Sequence, residues 1–133
     1  MKYILDTKAL IAFFNNEEGA KNVEKILKEI DENKAEGFVS AITLTEIYYL
    51  YSRERGEDFA KRKIEQIKLS NLKMVVIDDE IAIKAGVHKI KAIPIADALI
   101  AASAYFVDAT VVTDDEHFEK LDAEVVKFRG INK

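Results

Sequence analysis

Short apolar runs alternating with amphipathic stretches constrain this chain more than any other feature. Tyr3-Ile4-Leu5, Phe38-Val39-Ser40, Met74-Val75-Val76-Ile77, Thr110-Val111-Val112 and the segment 124–127 read as strands. The segments between them carry helical patterning. Strands alternating with helices specify an α/β fold, here a mainly parallel central sheet of about five strands flanked by helices. Helices are expected over about 9–14, 19–33, 43–53, 79–90 and 96–106, with a further one opening near Asp58 and carrying Phe59, Ile64 and Ile67. Val23, Ile26, Leu27 and Ile30 form the apolar stripe of the second of these. Thr43 and Glu46 have the spacing of a capping box. Gly37 is expected to punctuate the chain before the second strand. Pro94 precedes the apolar helix, and 116–121 reads as a short helix or turn.

With 133 residues, 49% of them apolar and 33% charged, the chain is expected to form one globular domain over 1–133. There is no Cys, which excludes a disulfide framework, a thiolate zinc site and a cysteine nucleophile, and favours a cytoplasmic location. No secretory signal is expected, because Asp6 and Lys8 break the opening apolar stretch. The longest apolar run, 93–107, is too short for a bilayer and contains Asp97, so no membrane contact is expected. The net charge of −4 lacks the basic balance of many nucleic-acid binders. Any such contact must be local, or made through metal ions.

Against this frame, four acidic residues stand in costly places. Removing an ionised carboxylate from water costs several kcal/mol unless a positive group meets it. Asp6 follows the first strand directly, where open parallel sheets bind ligands, and it equally suits a helix cap. Asp115 follows the strand at Thr110–Val112 and should emerge at the same edge; Asp114 competes for that role. Asp97 is the only charge between Ile93 and Val107, in the first turn of its helix, where the macrodipole supplies about 1 kcal/mol at most. Glu46 has Ile42 and Leu50 at i−4 and i+4, on an apolar helix face. Like charges gathered within a few ångströms need protons or cations to compensate them, and an all-oxygen set favours Mg²⁺ or Mn²⁺. The two histidines, His88 and His117, are too few for a His-rich zinc site.

Ile-Leu-Asp-Thr-Lys-Ala-Leu-Ile (4–11), Thr-Glu-Ile (45–47), Ala-Asp-Ala-Leu-Ile-Ala-Ala (96–102) and Val-Thr-Asp-Asp-Glu-His-Phe (112–118) together resemble the PIN domain, and over this length the chain is most similar to VapC-type toxins. The resemblance implies a Mg²⁺- or Mn²⁺-dependent ribonuclease, usually a homodimer, held in check by a small antitoxin protein. It assigns Asp6, Glu46, Asp97 and Asp115 as the acidic site, with Asp6, Asp97 and Asp115 as metal ligands, and selects Asp115 over Asp114. Thr7 and Thr113 fall at supporting positions. Lys8 departs from the family pattern, which usually has Ser or Asn there. It is read as a partner for a carboxylate, a phosphate contact, or a solvated surface residue.

The implied reaction is hydrolysis of an RNA phosphodiester by metal-activated water, leaving 5′-phosphate and 3′-hydroxyl ends. Arg53, Arg55, Lys89 and Lys91 are the candidate substrate contacts, within basic groupings that also suit a solvated surface. Tyr48, Tyr49 and Tyr51 suit base stacking or, better, packing. An alternative is a metal-poor protein-binding module in which Lys8 neutralises the acidic pocket. A phosphoacceptor receiver, with Asp78 as acceptor, ranks lower because it has no place for Asp97.

Overall fold

The computed structural model describes residues 1–121 and 123–129. Five strands form one sheet: β1 (Lys2–Leu5), β2 (Glu36–Ser40), β3 (Lys73–Val75), β4 (Thr110–Thr113) and β5 (Val125–Lys127). Their order is β3-β2-β1-β4-β5, and every pairing is parallel. Among the described residues six α-helices accompany them: α1 (Thr7–Phe14), α2 (Ala20–Asp31), α3 (Ala41–Arg55), α4 (Glu57–Leu69), α5 (Asp79–Lys89) and α6 (Ile95–Val107). A 3₁₀ turn, Glu116–Leu121, links β4 to β5.

Alternation along the strands divides the core in two. Ile4, Phe38, Val75 and Val111 point to the side holding α5 and α6. Leu5, Val39 and Val112 point to the side holding α1 to α4. A strand presents successive residues to opposite faces, so β1, β2 and β4 read as continuous apolar runs because both faces are covered. On α6, Ala98, Ala101 and Ala102 are buried, and these small side chains seat the helix closely on the sheet.

Several local expectations are corrected. Ser40 rather than Thr43 caps α3, accepting from the Ile42 amide at 3.3 Å, because β2 passes straight into the helix without a loop. Thr43 is therefore buried within α3, and Glu46 stands in its second turn instead of closing a capping box. Gly56 caps α4, leaving Asp58 in the first turn. The third strand ends at Val75, opposite Ser40, where its neighbour turns helical; Val76 is left without a strand partner. Gly37 lies inside β2, where a Cβ would meet Ile30 Cδ1 of α2 at 2.4 Å. Asp78 caps α5 through the Ile81 amide at 2.9 Å, a structural duty in place of a phosphoacceptor's. Among the described residues no helix is long and apolar enough to cross a membrane.

Candidate active site

The strand order reverses direction between β1 and β4, and the carboxyl ends of these two central strands open one crevice, the position where open α/β sheets bind ligands. Asp6, Glu46, Asp97 and Asp115 all line a cavity of about 100 Å³ there, with Ile11, Leu50 and Ile100 among its walls. Those apolar walls lower the local dielectric, which strengthens every charge interaction inside.

Asp6 is the deepest of the four, with 3% of its surface exposed. Its backbone amide still belongs to the sheet, donating to Val112 O at 3.1 Å, while its side chain caps α1 by accepting from the Ala9 amide at 2.8 Å. The other carboxylate oxygen accepts from Thr113 Oγ1. Helix cap and site residue are thus one and the same. Burial pushes the Asp6 carboxyl up to about 7, with the Asp97 and Asp115 charges adding to the rise and the Thr113 and Ala9 hydrogen bonds opposing it.

Thr113 Oγ1 also accepts from the Asp115 amide at 2.9 Å, so one hydroxyl ties the last residue of β4 to both carboxylates. Asp115 Oδ1 accepts from the His117 amide at 2.9 Å, which starts the 3₁₀ turn. Burial works against ionisation of Asp115, yet the His117 amide and ring, together with Lys8, outweigh it and hold the carboxyl below its ordinary value. Asp97, on the first turn of α6, shifts upward through burial and the Asp115 charge, which exceed the relief from His117. Glu46 is brought in by α3 and accepts from Thr7 Oγ1. Thr7 and Thr43 hydroxyls lie 3.2 Å apart; since Thr7 has one hydrogen, Thr43 supplies the one between them.

Asp114 takes a different direction. It accepts from the Arg129 amide at 2.9 Å and lies 3.4 Å from Arg129 Nε, anchoring the segment after β5. Arg129 continues to Glu18 O at 3.0 Å and Glu17 at 3.3 Å, so Asp114 belongs to a surface clasp. Lys8 Nζ stands 3.7 Å from Asp115 Oδ2 with two thirds of its side chain exposed. That pair is too open to neutralise the buried Asp6.

The candidate substrate contacts lie apart: none of Arg53, Arg55, Lys89 and Lys91 lines the acidic cavity. Arg53 covers the Tyr49 ring at 5.3 Å, Arg55 covers Phe59 at 4.1 Å, and Lys91 Nζ donates to Lys120 O at 3.2 Å. Tyr51 is core, whereas Tyr49 is exposed. The sequence weighs His117 only as a zinc ligand and gives it no place in the acidic site, but the structure brings its ring there. His117 Nδ1 lies 2.8 Å from both Asp97 Oδ2 and Asp115 Oδ1. Its position two residues past Asp115, at the exit of a central strand, was the available signal.

Two carboxyls driven toward the neutral form mark a site short of positive charge, and its close-set oxygen donors fit a divalent cation. Asp97, Asp115 and His117 offer donor atoms all within 4.8 Å of one another.

Solved structures with the same fold include VapBC2 from Rickettsia felis bound to a DNA fragment from their promoter (TM-score 0.76, 22% identity, 96% of this chain and 98% of that one). DNA-bound VapBC from Salmonella typhimurium gives TM-score 0.76 at 20% identity over 96% and 98%. FitAcB from Neisseria gonorrhoeae gives 0.73 at 22% over 95% and 97%. No curated protein matches the chain. The family model described as PIN domain matches residues 3–124, nearly the whole of the described fold, and the chain therefore belongs to the PIN domain family.

Proposed function

We propose that this protein is a metal-dependent endoribonuclease, the toxin of a VapBC-type toxin–antitoxin pair. The observation that carries this reading is the convergence of Asp6, Glu46, Asp97 and Asp115 on one apolar-walled cavity at the carboxyl edge of β1 and β4. Asp6, Asp97 and Asp115 would hold Mg²⁺ or Mn²⁺. Bound there, such an ion would acidify a water for in-line attack on an RNA phosphodiester and offset charge on the scissile phosphate. Thr113 keeps Asp6 oriented, and Thr7 fixes Glu46 with a free oxygen to take a proton from the attacking water. Ile11, Leu50 and Ile100 restrict bulk water.

The antitoxin partner rests on the likeness to structures of VapBC complexes. A homodimer has support in the outward face of α5, where Ile83, Val87 and Ile90 are exposed in one stripe beside Gly86, which has open space where a Cβ would stand. Asp79 and Glu80 lie at one end of that stripe and Lys89 and Lys91 at the other. Antiparallel pairing of two copies sets Ile83 against Val87, a self-complementary apolar arrangement. In sedimentation, Val87→Glu should convert a dimer to a monomer; a native monomer rejects the pairing.

Purified protein incubated with structured RNA and Mg²⁺ or Mn²⁺ should yield 5′-phosphate and 3′-hydroxyl ends, and Asp97→Asn should abolish cleavage. Cyclic phosphate ends, or cleavage unchanged in Asp97→Asn, would overturn the nuclease reading.

A further inference from the structure

Among the described residues, the imidazole of His117 is the one nitrogen donor in the metal-competent group with Asp97 and Asp115. Its Nδ1 is equidistant, at 2.8 Å, from a carboxylate oxygen of Asp97 and one of Asp115. Donors bound side by side to an octahedral cation, with bonds of about 2.1 Å, stand about 3 Å apart. The spacing is already close to that of neighbours in one coordination shell. It does not depend on a freely swinging side chain. The His117 amide is pinned to Asp115 Oδ1 at 2.9 Å, and the next residue, Phe118, is fully buried.

Nδ1 is hydrogen-bonded to Asp97 Oδ2, and against an ionised carboxylate it carries the hydrogen, since such an oxygen can only accept. A cation in that hydrogen's place would meet the nitrogen lone pair. Nitrogen donors discriminate between ions: Mg²⁺ prefers oxygen and water, whereas affinity for a mixed nitrogen and oxygen site rises along the first-row divalent ions from Mn²⁺, the weakest of them, through Fe²⁺ to Ni²⁺ and Cu²⁺.

We propose that His117 is a direct nitrogen ligand of the acidic site and biases it toward Mn²⁺ and heavier first-row divalent ions over Mg²⁺. This rests on the metal-binding half of the proposed function and is independent of RNA cleavage.

Electron spin-echo measurements on the full-length protein loaded with Mn²⁺ should show nitrogen-14 modulation, lost in His117→Ala and His117→Gln. Calorimetry should show Mn²⁺ affinity falling about tenfold or more in both variants. Mg²⁺ affinity should move less than about threefold, because that ion gains little from imidazole. Circular dichroism and melting establish that the variants fold, and the measurement on the native protein stands without them. Native protein that binds no Mn²⁺, or binds it without nitrogen modulation, overturns the proposal; so does an equal loss of both ions. Nitrogen-coordinated Mn²⁺ without RNA cleavage would overturn the nuclease reading and leave this one standing. Mg²⁺-driven cleavage with no nitrogen signal would do the reverse.

Discussion

Asp6 and Asp115 line the same cavity, yet their carboxyls move in opposite directions: Asp6 up to about 7, Asp115 below its ordinary value. The difference lies in the backbone that carries them. Asp6 sits at the last bond of a central strand, inside the ladder, where burial is imposed and two hydrogen bonds do not offset it. Asp115 stands two residues past the neighbouring strand, where a turn supplies an amide and an imidazole and Lys8 reaches across from α1. The strand end holds a carboxyl driven toward its neutral form by burial; the turn holds one kept ionised by its neighbours. A cation would be held between a group that needs its charge and one that does not.

The largest test of this contrast is Asp6→Asn. A shift from 3.8 to about 7 corresponds to something on the order of 4 kcal/mol of disfavoured ionisation in the folded, metal-free protein. The folded pKa is raised, so Asp6 favours the fold most below about pH 4, and this contribution is lost as pH rises through about 7. Thermal melts without metal should therefore show stability falling across that window through Asp6. Asp6→Asn should flatten the fall and melt higher than the native protein at pH 8. The same variant should lose cleavage by about 100-fold or more. A native protein whose stability climbs steadily from pH 4 to 7, with no change of slope in Asp6→Asn, would remove the Asp6 half of the comparison.

Asp114→Ala against Asp115→Asn is the next test, with effects expected to separate. Asp115→Asn should weaken metal binding about tenfold or more. Asp114→Ala should leave metal binding within about threefold but cost about 1 kcal/mol or more of stability, because the Arg129 clasp loses its acceptor. Equal effects on metal binding would mean that the turn does not distinguish the two neighbours.

The strands were legible because β1, β2 and β4 bury both faces and so carry uninterrupted apolar runs. Asp97 was legible for a related reason, a lone charge in an otherwise uncharged and largely apolar helix. Capping was harder to read. Ser40, Thr43, Gly56 and Asp58 are all competent cap residues, and the choice among them depends on how the preceding element ends, which spacing does not encode. The extent of β3 depended on where β2 turned helical. His117 was hidden more deeply: it lies 20 residues from Asp97, and only the 3₁₀ turn after β4 returns the ring to α6. Asp114 and Asp115 could not be separated by pattern, since the direction of each side chain follows from what Arg129 and Thr113 offer it.

The smallest expected effect belongs to Lys8, the residue whose identity departs from the family pattern. A lysine in a metal site could act as a substitute cation, but that role requires the ammonium to reach the group most in need of charge. Here it reaches Asp115, which is already ionised, at 3.7 Å and from solvent. Exposed pairs of this kind contribute about 0–1 kcal/mol. Lys8→Ser should therefore change metal affinity by less than about fivefold, the equivalent of that energy range. If Lys8→Ser instead switched on metal binding and cleavage absent from the native protein, Lys8 would be the neutralising cation of a protein-binding module. The turn half of the cavity, not the strand half, would then govern the site.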